Sequence, residues 1–347
     1  MDIIISHKSA LEYWRLHSDA KITDCDGNRC NSLPASIPKS AVIRKRAPSG
    51  LSYPINLLVA NQNAKRKSKI VKPRVYAGPT PSGCFISIGD MQFVSAPPFC
   101  FFQMAYELPL VKLIELGFEL CGSYSLNAKI DYGCGSKVKI EYANKDADDN
   151  KLGEVEKTSY GHKQLTSIKA IKALADHMID VNGKKKVLRA LRYIINGSAS
   201  PMETILVMLL TLSHKLGGYE LPAPELNKCI DLKSTVKQRS REPIYRPEKS
   251  YYICDLYWPK AKLAVEYDSD SYHTGADRIA RDSKKRLDLD ALGITVITVT
   301  SRQIRYADEF ETLAMSIAKK LHKRVRYRNP QFQQAERELR GLLLNKD

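Results

Sequence analysis

The stretch from Tyr251 to Val299 constrains the fold more than any other, because its apolar spacing switches between two periods. Tyr251-Tyr252-Ile253-Cys254-Asp255-Leu256-Tyr257-Trp258-Pro259 reads as an aromatic, apolar strand that ends in a turn. Lys262-Leu263-Ala264-Val265-Glu266-Tyr267-Asp268 reads as a second strand. A helix is predicted over 276–292, carrying Arg278, Arg281, Asp282, Lys284, Lys285 and Arg286, and Gly293 stops it. Ile294-Thr295-Val296-Ile297-Thr298-Val299 is a β-branched run suited to a buried central strand. Upstream, Ser200-Pro201-Met202-Glu203 has the cap, first-turn proline and acid of a helix start, with Ile205, Met208, Leu209 and Leu212 as its buried stripe. Downstream, 308–321 reads as a last helix of this core. Helix, strand, strand, helix, strand, helix is the order of an α/β sheet core.

The chemistry in this core lies in its carboxylates. Alternate residues of a strand share a face, so Glu266 and Asp268 point the same way. A hairpin with a short turn brings Asp255 near Glu266. Carboxylates gathered at a strand edge are what a hard divalent cation such as Mg²⁺ requires. Each residue also has a plain reading. Glu203 equally serves as a cap, and Asp255 and Glu266 as exposed acids paired with Lys260, Lys262 or Arg286. His273 is as well placed to be structural as catalytic, and Asp268 reads equally as ligand, outer-shell group or surface.

The charge balance points to a polyanion. Lys and Arg number 55 against 38 Asp and Glu, a net charge of +17. The excess is spread out: 19 basic against 14 acidic residues over 1–150, 18 against 10 over 151–250, and 18 against 14 over 251–347. Each phosphate neutralised by such residues releases a counterion, which makes nucleic acid the leading partner. Between Gly27 and Gly89 there is no Asp or Glu at all, yet eleven basic residues, including Arg44-Lys45-Arg46 and Lys65-Arg66-Lys67. Prolines 34, 38, 48 and 54 divide this stretch into pieces, with short strands expected at 54–59, 69–76 and 84–88. It reads as a phosphate-contacting surface or, more plainly, as solvated basic loops.

The rest of the chain frames these features. Ile3-Ile4-Ile5 predicts a strand, with Ser6 capping a helix over 7–16. Phe99–Leu116 has helical apolar spacing broken near Pro109, and 166–181 and 184–195 read as two helices joined by Asn182-Gly183. The polar stretch 142–166 reads as a loop or linker. None of the eight cysteines forms a CxxC pair, which argues against a zinc site and for reduced thiols in the cytoplasm. No apolar run reaches the ~18 residues needed to span a bilayer, so no membrane partner is expected. The N-terminus also lacks the pattern of a secretory leader.

Asp255, ten intervening residues, then Glu266-Tyr267-Asp268 resembles the PD-(D/E)XK restriction-endonuclease-like superfamily, and within it domains similar to the very short patch repair (Vsr) mismatch endonucleases. In those relatives an acidic helix residue precedes an aspartate strand, a "vEvDG..H" strand and a "D..R...L...G" helix. This chain has Glu203; Asp255; Val265-Glu266-Tyr267-Asp268-Ser269 with His273; and Asp282, Arg286 and Gly293. Two positions depart from the pattern. Asp268 stands where the superfamily has a lysine, a place for which His273, Lys284 or Lys285 can substitute, and Ser269 stands for a glycine. The short-strand run ending in Phe93-Val94-Ser95-Ala96-Pro97 faintly resembles the upstream half of AbiEi-type antitoxin regulators.

The resemblance implies a C-terminal restriction-endonuclease-like core, a mixed sheet flanked by helices, beside a separate basic α+β N-terminal domain. The divisions it suggests are 1–142 for the basic domain, 143–195 for a linker and helical pair, 196–325 for the nuclease domain and 326–347 for a basic, helical tail. It implies a metal-dependent endonuclease hydrolysing DNA phosphodiester bonds, in repair or in defence against foreign DNA, with RNA still open as a substrate. Asp255, Glu266 and the Tyr267 carbonyl then hold Mg²⁺ or Mn²⁺, with Glu203, Asp268 and His273 completing the catalytic set. Arg281, Lys285 and Arg286 hold the backbone, while the nucleic-acid-binding reading of Arg44, Lys45, Arg46, Lys65, Arg66 and Lys67 rests on their charge and not on the resemblance. The alternative is a DNA-binding regulator that keeps the fold without the chemistry.

Overall fold

Three consecutive isoleucines at the start of the chain are buried on both faces, as in a strand inside a covered sheet. The computed structural model describes residues 2–18, 32–61, 68–89, 91–126, 158–179, 181–232, 250–268, 276–325 and 329–344. The chain divides into two compact units that meet in sequence at Asn196 and Gly197, both of mixed α and β composition.

The first unit is built on β1 (Ile3–Ile5), α1 (His7–Leu16), α2 (Ser40–Arg46), β2 (Ile55–Val59), β3 (Val71–Val75), β4 (Phe85–Gly89), β5 (Gln92–Ser95), α3 (Pro97–Met104), α4 (Leu110–Leu120), β6 (Tyr124–Ser125), β7 (Ser159–Tyr160), α5 (Ile168–His177) and α6 (Lys184–Leu191). Its main sheet has the order β3-β2-β1-β5-β4, so β1 is central. β1 runs parallel to β5, pairing Ile4 with Phe93, and antiparallel to β2, pairing Ile5 with Leu57. Pro97 and Pro98 start α3 at positions where missing amide donors cost nothing, and Pro109 starts α4 likewise. Trp14 of α1 donates its indole N–H to Ser95 O at 2.8 Å. Arg15 of α1 makes a bidentate, fully buried pair with Glu119 of α4, at 2.7 and 2.8 Å.

The helices α5 and α6, the helical pair that the sequence set apart from the basic domain, belong to this unit. Ile171, Ala175, Val187 and Ala190 are buried, Lys186 Nζ donates to Leu108 O at 3.0 Å, and Ile194 packs where Gly117 has no side chain. A Cβ at Gly117 would lie 2.2 Å from Ile194 Cδ1, so that contact needs glycine.

The second unit contains α7 (Pro201–Thr211), β8 (Glu225–Asp231), β9 (Tyr251–Trp258), β10 (Leu263–Asp268), α8 (Ala276–Ala291), β11 (Thr295–Thr300), α9 (Ser301–Arg305), α10 (Ala307–Lys320) and α11 (Pro330–Leu343). The sheet order is β11-β10-β9-β8. β10 and β11 are parallel with α8 between them in sequence, and the other pairs are antiparallel. The turn from β9 to β10 is a single 3₁₀ turn at Pro259–Ala261, closed by Lys262 with φ +47°. Ile230, Leu232, Tyr252, Cys254, Ala264, Leu289, Leu292 and Ile294 form a core that joins sheet to α8.

The segment read from sequence as a basic, helical tail from 326 does hold a helix, and that helix is packed into the second unit. Phe332, Leu339 and Leu343 of α11 are buried, Glu336 accepts from Tyr219 Oη at 3.0 Å, and Arg340 Nη2 donates to the carbonyls of Ile304 and Arg305. Those carbonyls end α9 and would otherwise be unpaired helix acceptors.

Candidate active site

Strand alternation and one break in pairing build the site. The rungs between β9 and β10 are Trp258↔Leu263, Tyr257↔Ala264 and Leu256↔Val265, and the ladder stops there. Asp255 and Glu266 are the next residues on each strand, so both carboxylates sit where the strands part. Asp255 Oδ2 takes the place of a ladder carbonyl and accepts the Tyr267 N–H at 2.8 Å.

A third carboxylate comes from the start of α7. Ser200 caps this helix, its Oγ accepting from Glu203 N at 3.1 Å. The Glu203 carboxylate turns back and accepts from Ala199 N at 2.9 Å, so Glu203 does take part in closing the helix end. It also accepts from Asn227 Nδ2 at 2.8 Å, and the same amide group donates to Gly197 O at 2.9 Å. Asn227 has φ +47°, a left-handed conformation that asparagine tolerates, and the rungs to β9 skip it between Leu226↔Leu256 and Lys228↔Cys254. Sequence reasoning missed Asn227; its only signal was an asparagine within a strand-like run, a residue depleted from regular ladders.

The cation of the site comes from α8. Tyr252 Oη donates to Asp288 Oδ2 at 2.8 Å and Leu289 is fully buried, which seats α8 on the sheet. Lys285 lies one turn earlier on the same side. Its Nζ donates to Ile253 O at 2.8 Å, stands 2.5 Å from Glu266 Oε1 as an ion pair, and lies 5.8 Å from the centre of the Tyr252 ring. Glu266 Oε1 is sealed from solvent, and the approach of Lys285 to it is off the hydrogen-bond axis.

Burial dominates the electrostatics of these groups, with the neighbouring acids second at Asp255 and Cys254. Burial, then the neighbouring Glu203 and Glu266, push the Asp255 carboxyl up to about 7, against the opposing Tyr267 N–H and Lys285. Burial also raises Glu203 above the usual carboxylate range, although three hydrogen bonds hold it down. Burial, followed by Glu266, pushes the Cys254 thiol up to about 12, which removes it as a nucleophile.

The remaining sequence candidates fall in several places. Asp268 ends β10, partly buried, opposite Thr300. Arg286 Nη2 donates to Thr298 Oγ1 of β11 at 2.7 Å, and Arg281 lies exposed on α8. Arg44, Lys45 and Arg46 form the last turn of α2 in the first unit, anchored by the buried Ile43, with Arg44 and Lys45 exposed. His273, Lys65, Arg66 and Lys67 lie outside the described residues.

Among the described residues no group of three or more His, Cys, Asp or Glu side chains is spaced to hold a metal ion. Asp255, Glu266 and the Tyr267 carbonyl are nonetheless an all-oxygen set of the kind Mg²⁺ takes. The elevation of Asp255 comes first from burial and only then from Glu203 and Glu266. In donor chemistry alone these residues fit a hard divalent cation. Among the described residues no helix is long and apolar enough to cross a membrane. No family model, no curated protein and no solved structure matches the chain.

Proposed function

We propose that the second unit is a metal-dependent endonuclease that hydrolyses DNA phosphodiester bonds. The observation that carries this reading is the meeting of Asp255, Glu266 and Glu203, from three different elements, beside one lysine at the point where β9 and β10 part. The reading agrees with the resemblance to the restriction-endonuclease-like superfamily and with the net charge of +17. It extends to a double-stranded substrate in repair or in defence against foreign DNA.

In this reading Asp255, Glu266 and the Tyr267 carbonyl hold Mg²⁺ or Mn²⁺. When bound, the ion supplies a water of lowered pKa and stabilises charge on the phosphate. Lys285 stands in for the amine that the superfamily carries two residues after its second acid, where this chain has Asp268. Pairing with Glu266 fixes the position of Lys285, and its charge offsets negative charge developing nearby. Glu203 and Asn227 hold the rear of the site, with Asn227 orienting the Glu203 carboxylate. Arg281 and Arg286, on α8, contact the phosphate backbone.

The test is nicking of supercoiled plasmid by the full chain with Mg²⁺ or Mn²⁺, beside EDTA and Glu266→Ala. The expected result is nicking that needs the metal and is lost in the variant, while gel-shift binding of the same DNA is kept. Binding without cleavage of plasmid, single-stranded, mismatched or RNA substrates by the unmodified chain would refute the enzyme and return the fold to a regulator.

A further inference from the structure

The first unit holds a cavity of about 650 Å³ that the nuclease reading does not use. His7, Arg74, Tyr76, Phe102, Gln103 and Tyr106 are among its walls. It forms where β1 passes into α1, and the backbone there is strained: His7 has φ +50°, in the left-handed region that histidine seldom occupies. That conformation aims the His7 N–H at Gln103 Oε1, 2.9 Å away. Strain kept at the wall of a cavity points towards function.

The bond to His7 N–H fixes the orientation of the Gln103 amide, since a flipped amide would set two donors against each other. Gln103 Nε2 is therefore a donor, and it has no acceptor although Gln103 is only 3 % exposed. Buried donors of this kind are rare and call for an explanation. Arg74 is partly committed, its Nε to Asn56 Oδ1 at 2.9 Å and its Nη2 to Glu107. The His7 imidazole is kept uncharged, lowered to about 3 by burial and then by Arg74 and Lys72, with its Nδ1 3.1 Å from Ser6 Oγ. The polar part of the cavity thus offers the Gln103 donor and the Arg74 guanidinium, whose charge is partly offset by Glu107, another wall residue. The other walls include three rings, Tyr76, the buried Phe102 and the half-exposed Tyr106, among small and aliphatic residues such as Val75, Pro79 and Val181.

We propose that this cavity binds a nucleotide, with its planar base among Tyr76, Phe102 and Tyr106 and its acceptor atoms taken by Gln103 and Arg74. Aromatic walls select a flat ring, and an unfilled amide donor selects a ring bearing carbonyl or ring-nitrogen acceptors. Arg74, exchanging Glu107 for the ligand, favours a phosphate on the same molecule. The chemistry is the same for a free nucleotide and for one at the end of a strand. The proposal stands on the first unit alone and does not depend on the nuclease reading.

The experiment is calorimetric titration of the full chain with the eight common ribo- and deoxyribonucleoside monophosphates, with inorganic phosphate and with a single-stranded pentanucleotide. It is repeated with Gln103→Glu and Tyr106→Ala. Gln103→Glu keeps the acceptor for His7 N–H and replaces the free donor by an acid. Tyr106→Ala removes a ring that is 55 % exposed and so leaves the core alone. The expected result is binding of at least one monophosphate, weakened about 10-fold or more in each variant with the melting temperature of Tyr106→Ala unchanged. Binding of the pentanucleotide alone, with the same losses, assigns the nucleotide to a strand. The proposal is overturned if no nucleotide or strand binds at millimolar concentration, if both variants bind as the parent does, or if inorganic phosphate binds as tightly as the nucleotides.

Discussion

Replacing Asp255 by asparagine should stabilise the second unit, and the gain should grow with pH. Asp255 is an acid whose carboxyl is raised in the folded chain, from 3.8 to about 7. Between these values the folded state keeps a proton that the unfolded state has released. Stability therefore falls as pH rises through this window and levels off above it. At ~1.36 kcal/mol per pH unit the ceiling is about 4 kcal/mol. Asp255 is only partly buried, so solvent screening brings the expected loss to roughly 2 kcal/mol. Asparagine carries no charge, and its Oδ1 still accepts the Tyr267 N–H. Urea unfolding followed by tryptophan fluorescence reads the result, since Trp258 lies on the same strand as Asp255. With EDTA present, the advantage of Asp255→Asn should widen by roughly 1.5–2 kcal/mol between pH 4.5 and pH 8. Excess Mg²⁺ should then stabilise the parent chain at pH 8 and leave the variant unmoved. An advantage that is the same at both pH values, or a variant less stable at pH 8, would refute the argument from crowded carboxylates.

Two further outcomes concern the scaffold. Glu119→Ala strands the buried Arg15 guanidinium and frees the Leu126 N–H, which Glu119 Oε1 accepts at 3.0 Å; a loss of ~3–5 kcal/mol is expected in thermal unfolding of the first unit. A loss under about 1 kcal/mol would mean that Arg15 finds another partner. Gly217→Ala and Gly83→Ala share a left-handed backbone, φ +88° and +84°, but a Cβ at Gly217 lies 2.3 Å from Ala335 O while one at Gly83 meets nothing within 4 Å. The first should cost its unit at least ~1–2 kcal/mol more than the second, and equal costs would show that α11 yields easily.

Much of this arrangement was legible in the sequence wherever one local rule decided it. Alternation along Tyr251–Asp268 and a short turn were enough to bring Asp255 beside Glu266. The Ser200-Pro201-Glu203 pattern gave both the start of α7 and the capping bond of Glu203. The break at Pro109 separated α3 from α4. What resisted was set by contacts between distant segments. Lys285 precedes Leu289 by one turn, so its face was readable, yet its pairing with Glu266 depends on how Asp288 and Tyr252 seat the helix. Asn227 acts through a positive φ that no neighbouring residue announces. The basic, charge-mixed surface of α11 looked like a tail because its partners, Tyr219 and the end of α9, lie far upstream. The cavity in the first unit gathers residues from α1, β3 and α3. None of them forms a motif by itself.

The bond from Tyr219 to Glu336 spans 117 residues, and it has a consequence for the order of events during synthesis. Translation adds about 5–20 residues each second, so roughly 6–23 s separate the emergence of Tyr219 from that of the helix that covers it. Through that interval the surface around Tyr219 and Leu212 waits for its cover, while the strands bearing Asp255 and Glu266 emerge. The hairpin that holds the carboxylates can thus form on the ribosome before the body that supports it has closed, and the nascent chain carries an exposed apolar surface of the kind that chaperones bind.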